Sequence, residues 1–271
     1  MMRSLWTAAS GMRAQQVNVD TIANNVANIN TIGYKSQQAS FKSLLYQNLQ
    51  STSTNNAGEN KPVAAEVGLG SRVAAITSTF TQGNLTHVEN PFSVALEGDG
   101  FFQIRTESGE LQYTRDGSFE ISPVANGNML CTSDGNPVLD AYGNQIILPS
   151  NRVATDLVVN QDGTLAFPDG TGNPAVITDA NGRPVKFGIY QFNNPAGLSK
   201  EGSNNYSVTV ASGAAVAENG NAAVKQTKTE ASNVDVANEM VNLIVAQRAY
   251  EMNSKAIQAS DEMMQQANAL R

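Results

Sequence analysis

Apolar residues recur at helical spacing at both ends of the chain, and the pattern breaks into short runs in between. Near the N-terminus, Leu5, Ala8, Met12, Val19, Ile22, Val26 and Ile29 advance by threes and fours, with only Gln15 breaking the series. That is one face of an α-helix, sustained long enough to read as a coiled-coil seam. It predicts a helix over 4–32, which Gly33 then stops. The C-terminal end mirrors it. Val236, Leu243, Tyr250, Ile257 and Met264 share one heptad position, Met240 and Ala246 extend the stripe, and Ala249, Ala256, Met263 and Leu270 flank it. A second helix is expected over about 234–269. Ser232-Asn233-Val234-Asp235 before it has the shape of a capping box.

The middle reads as strands. Phe92–Leu96, Phe101–Arg105, Leu111–Thr114, Ser118–Ile121, Gln145–Leu148, Leu157–Val159, Lys186–Phe192 and Tyr206–Val210 are short runs of β-type residues. Asp-Gly at 99–100, 116–117, 134–135, 162–163 and 169–170, and Asn-Gly at 126–127 and 181–182, separate many of them. Glycine accepts the positive φ of tight hairpins, so this density of turns implies antiparallel pairing. The expected class is α+β: long N- and C-terminal helices pair as a coiled-coil stalk around one inserted antiparallel all-β domain. The expected divisions are 1–33 with 232–271 for the helical part and 86–212 for the β part. Segments 34–85 and 213–231 are connectors. The first begins with a short helix in which Phe41, Leu44, Leu45 and Leu49 share a face, followed by the polar stretch Gln50–Lys61.

Composition narrows the function. The chain has 271 residues and a net charge of −7, which argues against nucleic-acid binding through a basic face. Charged residues are 15% of the chain, below a usual value of about 25%, so polarity comes instead from amides and hydroxyls. The 30 asparagines show it. Such a surface does not rely on charge repulsion to keep copies apart. Apolar runs are too short for a membrane-spanning helix of about 20 residues. Gln15, Gln16, Asn18 and Asp20 interrupt any signal-peptide core. The expectation is a cytoplasmic protein or one exported without a cleaved signal.

Candidate chemistry is sparse. A β domain rich in Asp could hide the carboxylate pair of a glycoside hydrolase. Yet Asp99, Asp116, Asp134, Asp162 and Asp169 all precede glycine, where hairpin turns place Asp for structural reasons. One histidine (His87) and one cysteine (Cys131) leave little for zinc or triad chemistry. Cys131 reads as a core residue, and Trp6 and Tyr250 as aromatic packing at the helical seam. No catalytic residue, metal ligand or cofactor site is expected. Two long helices with apolar stripes have only each other to pack on within one chain. A two-helix stalk covers part of each stripe, so further copies are expected to cover the rest.

Particular motifs sharpen this. Ala23-Asn24-Asn25-Val26-Ala27-Asn28-Ile29-Asn30-Thr31-Ile32-Gly33-Tyr34-Lys35 resembles the signature of the bacterial flagellar rod and hook proteins. The opening Arg3-Ser4-Leu5-Trp6 and the stretch Glu239–Glu251 are similar to the distal-rod branch of that family. So are Gly98-Asp99-Gly100-Phe101-Phe102 and Tyr113-Thr114-Arg115-Asp116-Gly117. The resemblance covers essentially the whole chain. It implies a structural subunit that polymerises into a helical tube, transmits torque from motor to hook and leaves an export channel. It implies as partners the chain itself, proximal-rod and hook subunits, the flagellar type III export apparatus and outer-ring bushing proteins, with no nucleic acid and no membrane insertion. The implied location is the basal body outside the inner membrane, in periplasm or cell wall. Another axial protein (proximal rod or hook) is the neighbouring reading. A secreted adhesin or cell-wall hydrolase is the reading outside the family.

On this basis the polymerisation seam is expected at Leu5, Met12, Val19, Ile22, Val26, Ile29, Val236, Met240, Leu243, Tyr250, Ile257 and Met264. The family motif is carried by Asn24, Asn25, Ala27, Asn28, Thr31, Gly33, Tyr34 and Lys35. The asparagines are expected on the last turns of the first helix, either bonding across helices or subunits to fix register or forming a solvated face that ends it. Gln50–Lys61 is expected either to adapt the subunit to its neighbours and set tube stiffness, or to be a disordered loop.

Overall fold

The computed structural model describes residues 2–50, 65–124, 127–150, 152–168, 174–179, 182–217, 220 and 222–269. Positions 51–61 of the polar stretch, the Asp169-Gly170 turn, Asn126, Asn181 and Leu270 lie outside them. The chain divides into two compact units. One holds residues 1–27, 37–78 and 235–271, and the other holds 28–36 and 79–234.

The first unit contains both long helices, α1 (Met2–Ala27) and α2 (Val236–Ala269). They pack side by side. Helix α1 ends five residues earlier than the apolar spacing predicts. Asn28–Gly33 form turns, with the Thr31 amide donating to the Asn28 carbonyl at 3.2 Å. Ile29, Asn28 and Asn30 therefore stand off the helix. Helix α2 is capped by Asp235 rather than by a box built on Ser232. The Asp235 carboxylate accepts from the Ala237 amide at 3.0 Å and from the Asn238 side chain at 2.7 Å. The Ser232 hydroxyl accepts from the nearer Val234 amide instead.

Four strands complete this unit: β1 (Gln37–Ser43), β2 (Tyr46–Gln50), β3 (Ala65–Gly68) and β4 (Ser71–Ser78). β1 pairs antiparallel with β4 through a bulge at Ser40/Phe41, β2 pairs with β3, and β1 and β4 lie against α1. The short helix expected around Phe41–Leu49 does not form. Helical spacing there would have gathered an apolar face, yet Leu45 and Leu49 are exposed. β4, rich in β-branched residues, instead supplies backbone partners along all of β1.

The named strands of the second unit all pair antiparallel. In chain order its strands are β5 (Leu85–His87), β6 (Val94–Glu97), β7 (Phe101–Arg105), β8 (Leu111–Thr114), β9 (Glu120–Val124), β10 (Gly127–Cys131), β11 (Ile147–Leu148) and β12 (Val158–Val159). Then follow β13 (Leu165–Pro168), β14 (Pro174–Val176), β15 (Ile189–Gln191), β16 (Ser199–Gly202), β17 (Asn205–Ser207), β18 (Val216–Ala217), β19 (Ala223–Gln226) and β20 (Lys228–Glu230). The largest sheet has the order β16-β17-β8-β7-β15-β18. Central β7 is buried on both faces. Phe102 meets Phe119 and Phe187 at ring distances of 5.2 and 5.6 Å, while Phe101 on the other face meets Phe80, Phe192 and Tyr206. Cys131 is buried beside Leu130, as expected of a core residue. The expected connector 213–231 carries β18, β19 and β20, with β19 pairing β6 and β20 pairing β5.

The glycine turns split into two kinds. Gly135, Gly163 and Gly182 have the positive φ of hairpin turns. Gly117 does not. A side chain there would run into the Val94 carbonyl oxygen, so that glycine serves close approach rather than a left-handed bend.

Candidate assembly surface

The seam between α1 and α2 is built from small and polar side chains more than from the large apolar residues of the stripe. Ser4 meets Ser260 at 3.3 Å, Gly11 faces Asn253 so closely that a Cβ would come within 2.9 Å, and Asn25 reaches Glu239 at 3.0 Å. As the α1 partner advances through 4, 11 and 25, the α2 partner descends through 260, 253 and 239, so the helices run antiparallel in one register. Ala8, Ala14, Ile22, Ala246 and Ser260 are buried. Of the expected seam residues, Leu5, Met12, Val19, Val26, Leu243, Ile257 and Met264 are half-buried, as is Ile29 beyond the helix end. Val236, Met240 and Tyr250 are exposed.

The motif residues divide between the two units. Asn24 and Ala27 are exposed on α1. Asn25 is buried and acts as a two-way clamp. Its oxygen accepts from the Gln37 amide at 2.8 Å, and its nitrogen donates to the Gln37 carbonyl at 2.8 Å and to Glu239 on α2. Its bond across helices is therefore made within the chain. In the second unit, Thr31 donates to the Asn28 side chain at 3.1 Å. Gly33 has φ +70°, its amide donates to the Glu230 carbonyl, and a side chain there would stand 2.8 Å from the Asp116 amide nitrogen. Tyr34 is buried.

Lys35 ends the motif in a fully buried ion cluster. Its ammonium donates to Glu230 Oε1 at 2.6 Å and to the Thr81 carbonyl at 2.8 Å. Glu230 Oε1 also accepts from the Gly83 amide, and Oε2 pairs with Arg115 at 3.3 Å. Arg115 donates onward to the Gly98 carbonyl and lies 5.5 Å over the Phe101 ring. Burial lowers the pKa of Lys35 and of Arg115, with Glu230 opposing it in both. The same surroundings push Tyr206 up to about 12, chiefly by burial. One carboxylate thus holds two buried cations. Sequence reasoning reached Lys35 and Arg115 through motifs and missed Glu230. Its only signal was a lone acid closing the alternating run Lys228-Thr229-Glu230.

What the first unit leaves uncovered is apolar. Trp6 is 73% exposed, and Val241, Ile244, Val245 and Met252 are each more than half exposed along the side of α2 turned away from α1. Trp6 and Tyr250 therefore do not fill the seam within one chain. An exposed apolar face of this extent marks an interaction site.

Comparison with known proteins shows which family the chain belongs to. Three family profiles match in sequence order. Residues 5–35 match "Flagella basal body rod protein", 95–167 match "Flagellar hook protein FlgE/F/G D1 domain", and 225–270 match "Flagellar basal body rod FlgEFG protein C-terminal". The chain is 43% identical to the flagellar basal-body rod protein FlgG of Borreliella burgdorferi over 100% of its own length and 99% of that protein. It is 38% identical to FlgG of Caulobacter vibrioides, with both chains covered in full. It is also 33% identical over its full length to the flagellar hook-basal body complex protein FlhP of Bacillus subtilis. The chain belongs to the flagellar basal-body rod protein family.

As a rod-family member it is a structural subunit of the flagellar basal body and not an enzyme. The rod profile at 5–35 covers α1 from Leu5 onward and ends on Lys35, and the C-terminal profile begins three residues before β20 and takes in Glu230 and α2. No helix among the described residues is long and apolar enough to cross a membrane.

Proposed function

We propose that this chain polymerises into the helical tube of the distal rod, carrying motor torque to the hook around a central export channel. The observation that carries this reading is the uncovered apolar face of α2 together with exposed Trp6. A helix pair that buries one face internally and offers another to solvent is completed by repetition. A head-to-tail contact that does not close into a ring builds a helical filament. The paired terminal helices form the tube wall as a coiled-coil layer. Torque transmission needs shear resistance, which close-packed apolar seams provide. Each exposed Val, Ile or Met buried on assembly contributes about 1.5–3 kcal/mol. Proximal-rod and hook subunits cap the two ends of the segment, the type III apparatus delivers the chain, and outer-ring bushing proteins surround it. Gln50–Lys61 adapts the subunit to its neighbours and sets tube stiffness.

The test is genetic and structural. Cells lacking the chain are expected to stop rod assembly before the hook and to regain hooks when it is restored. Hooks assembled on a complete rod in its absence would contradict the reading.

A further inference from the structure

Trp6 is the chain's single tryptophan, and it is exposed on α1. Among the described residues its indole N–H donates to nothing. That group can only donate, so a tryptophan that becomes buried needs an acceptor beside it. The groove that Trp6 itself lines, on the flank of α1 toward β4, offers chiefly donors. Val17, Leu44 and Val73 give it apolar walls, and Arg13 and Arg72 stand on it; guanidinium groups accept no hydrogen bond. The Ser10 hydroxyl there is already engaged by the Thr7 carbonyl at 2.8 Å and the Ser71 amide at 3.3 Å. A second open groove of about 430 Å³, between α1 and α2, has the opposite chemistry. Val19 and the Tyr250 ring give it apolar walls, and the side-chain amides of Gln16 and Gln247 stand on it. Among the described residues neither amide makes a hydrogen bond, so each offers a carbonyl oxygen. Glu251 stands there too, but it is paired with Arg248 at 2.8 Å.

We infer that Trp6 of one copy enters the groove between α1 and α2 of the next, with its ring against Tyr250 and its N–H on the amide oxygen of Gln16 or Gln247. This rests on the rod reading and goes further by naming which side chain enters which recess. The two features cannot meet within one chain. Gln16 lies about 15 Å along α1 from Trp6, and Val17 and Val19, which line the two grooves, point to nearly opposite sides of a helix that turns ~100° per residue. A knob and a recess on different flanks of one subunit make a heterologous contact, which propagates. Tryptophan and tyrosine are enriched among the few residues that dominate interface energy, and such residues pair with one another across the contact. The pairing also gives a partner to both aromatic residues that the fold of a single chain leaves exposed on the two helices.

The test uses full-length chains in cells that lack the native one. Arg3 is exposed on α1 one helical turn before Trp6, so a probe there leaves the tryptophan in place. Arg3→Cys and Gln247→Cys are placed in separate chains, the chains are co-expressed, and purified basal bodies are treated with a short thiol cross-linker; the native Cys131 is buried. The mixture is expected to give a covalent dimer severalfold more abundant than either variant alone. Complete rods with a dimer formed equally well by Arg3→Cys alone would mean that like ends meet, and would overturn the inference while leaving the rod reading intact. Complete rods with no dimer would do the same. Failure of the unmodified chain to form rods would overturn both. A double-mutant cycle is a second readout that does not depend on the cysteine variants assembling. Trp6→Ala and Tyr250→Ala are each expected to be secreted normally and to reduce rod-bearing basal bodies roughly tenfold. Because they remove the same contact, the double variant should fall no more than about twofold below either one. Losses that multiply to about a hundredfold, or undiminished rods in Trp6→Ala, would overturn the pairing.

Discussion

Replacing Glu230 by Gln tests whether one carboxylate holds the second unit's interior together. The substitution keeps the size of the side chain and removes its charge. Lys35 and Arg115 would then be two buried cations with no anion between them. Both are almost fully excluded from water in the native fold, at 1% and 3% exposure. Breaking a buried pair by removing one partner costs about 3–5 kcal/mol. For a unit of this size each kcal/mol moves the melting temperature by about 2–4 °C, so a fall of about 6–20 °C is expected in calorimetry of the full chain. Lys35→Met is the decisive comparison. It removes one of two cations, and Glu230 keeps Arg115 and the Gly83 amide. It forfeits the 2.6 Å ion pair with Glu230 and the bond to the Thr81 carbonyl, but leaves no buried charge without a counter-charge, for about 1.5–3 kcal/mol. It also relieves the burial that lowers the Lys35 pKa. Glu230→Gln should therefore be more damaging by about 2 kcal/mol, and should speed hydrogen exchange at the Gly33 and Gly83 amides. Lys35→Met as harmful as Glu230→Gln, or more so, would refute the reasoning.

Other substitutions probe the motif piece by piece. Gly33→Ala combines a left-handed φ with a contact 2.8 Å from backbone. It should cost more than about 2 kcal/mol, read as a lower urea midpoint at unchanged slope. Asn25→Ala leaves the Gln37 amide without its acceptor, for about 1–3 kcal/mol; rods should fail to assemble while the chain is still secreted, and equal loss of both would contradict the clamp. Asp116 titrates above its ordinary 3.8 because of burial, against hydrogen bonds from Ser118. The folded state then holds that proton more tightly than the unfolded one. Its contribution is fully present below pH 3.8 and is lost as pH rises through the raised value. Asp116→Asn should flatten that part of the stability–pH curve, and an unchanged curve would count against the assignment.

The helices and about half the strands of the second unit were legible because their signals are local. Phe101–Arg105 and Leu111–Thr114 form at the expected residues, since β-type runs bounded by turns specify their own ends. The segment around Phe41 misleads because its apolar spacing is helical while its partner, β4, lies some thirty residues away and takes the backbone into a ladder. The buried cluster was hidden for the same reason. Lys35, Arg115 and Glu230 are far apart in sequence, and a charged residue carries no local mark of burial. The seam, too, was half legible: heptad spacing located the two helices, but the closest contacts fall on Ser4, Gly11, Asn25, Glu239, Asn253 and Ser260, which a search for large apolar residues passes over. The α2 stripe at Val241–Met252 stands on the other side of the helix from Leu243 and Ile257, and apolar periodicity alone did not separate the face used within the chain from the one left open.

The central claim, a rod subunit placed just below the hook, is tested most directly by immunogold electron microscopy of isolated hook–basal bodies with antibody raised against the β unit. Label along the rod between the motor end and the hook is the predicted result. Label confined to the hook, or absent from intact and accessible particles, would contradict it.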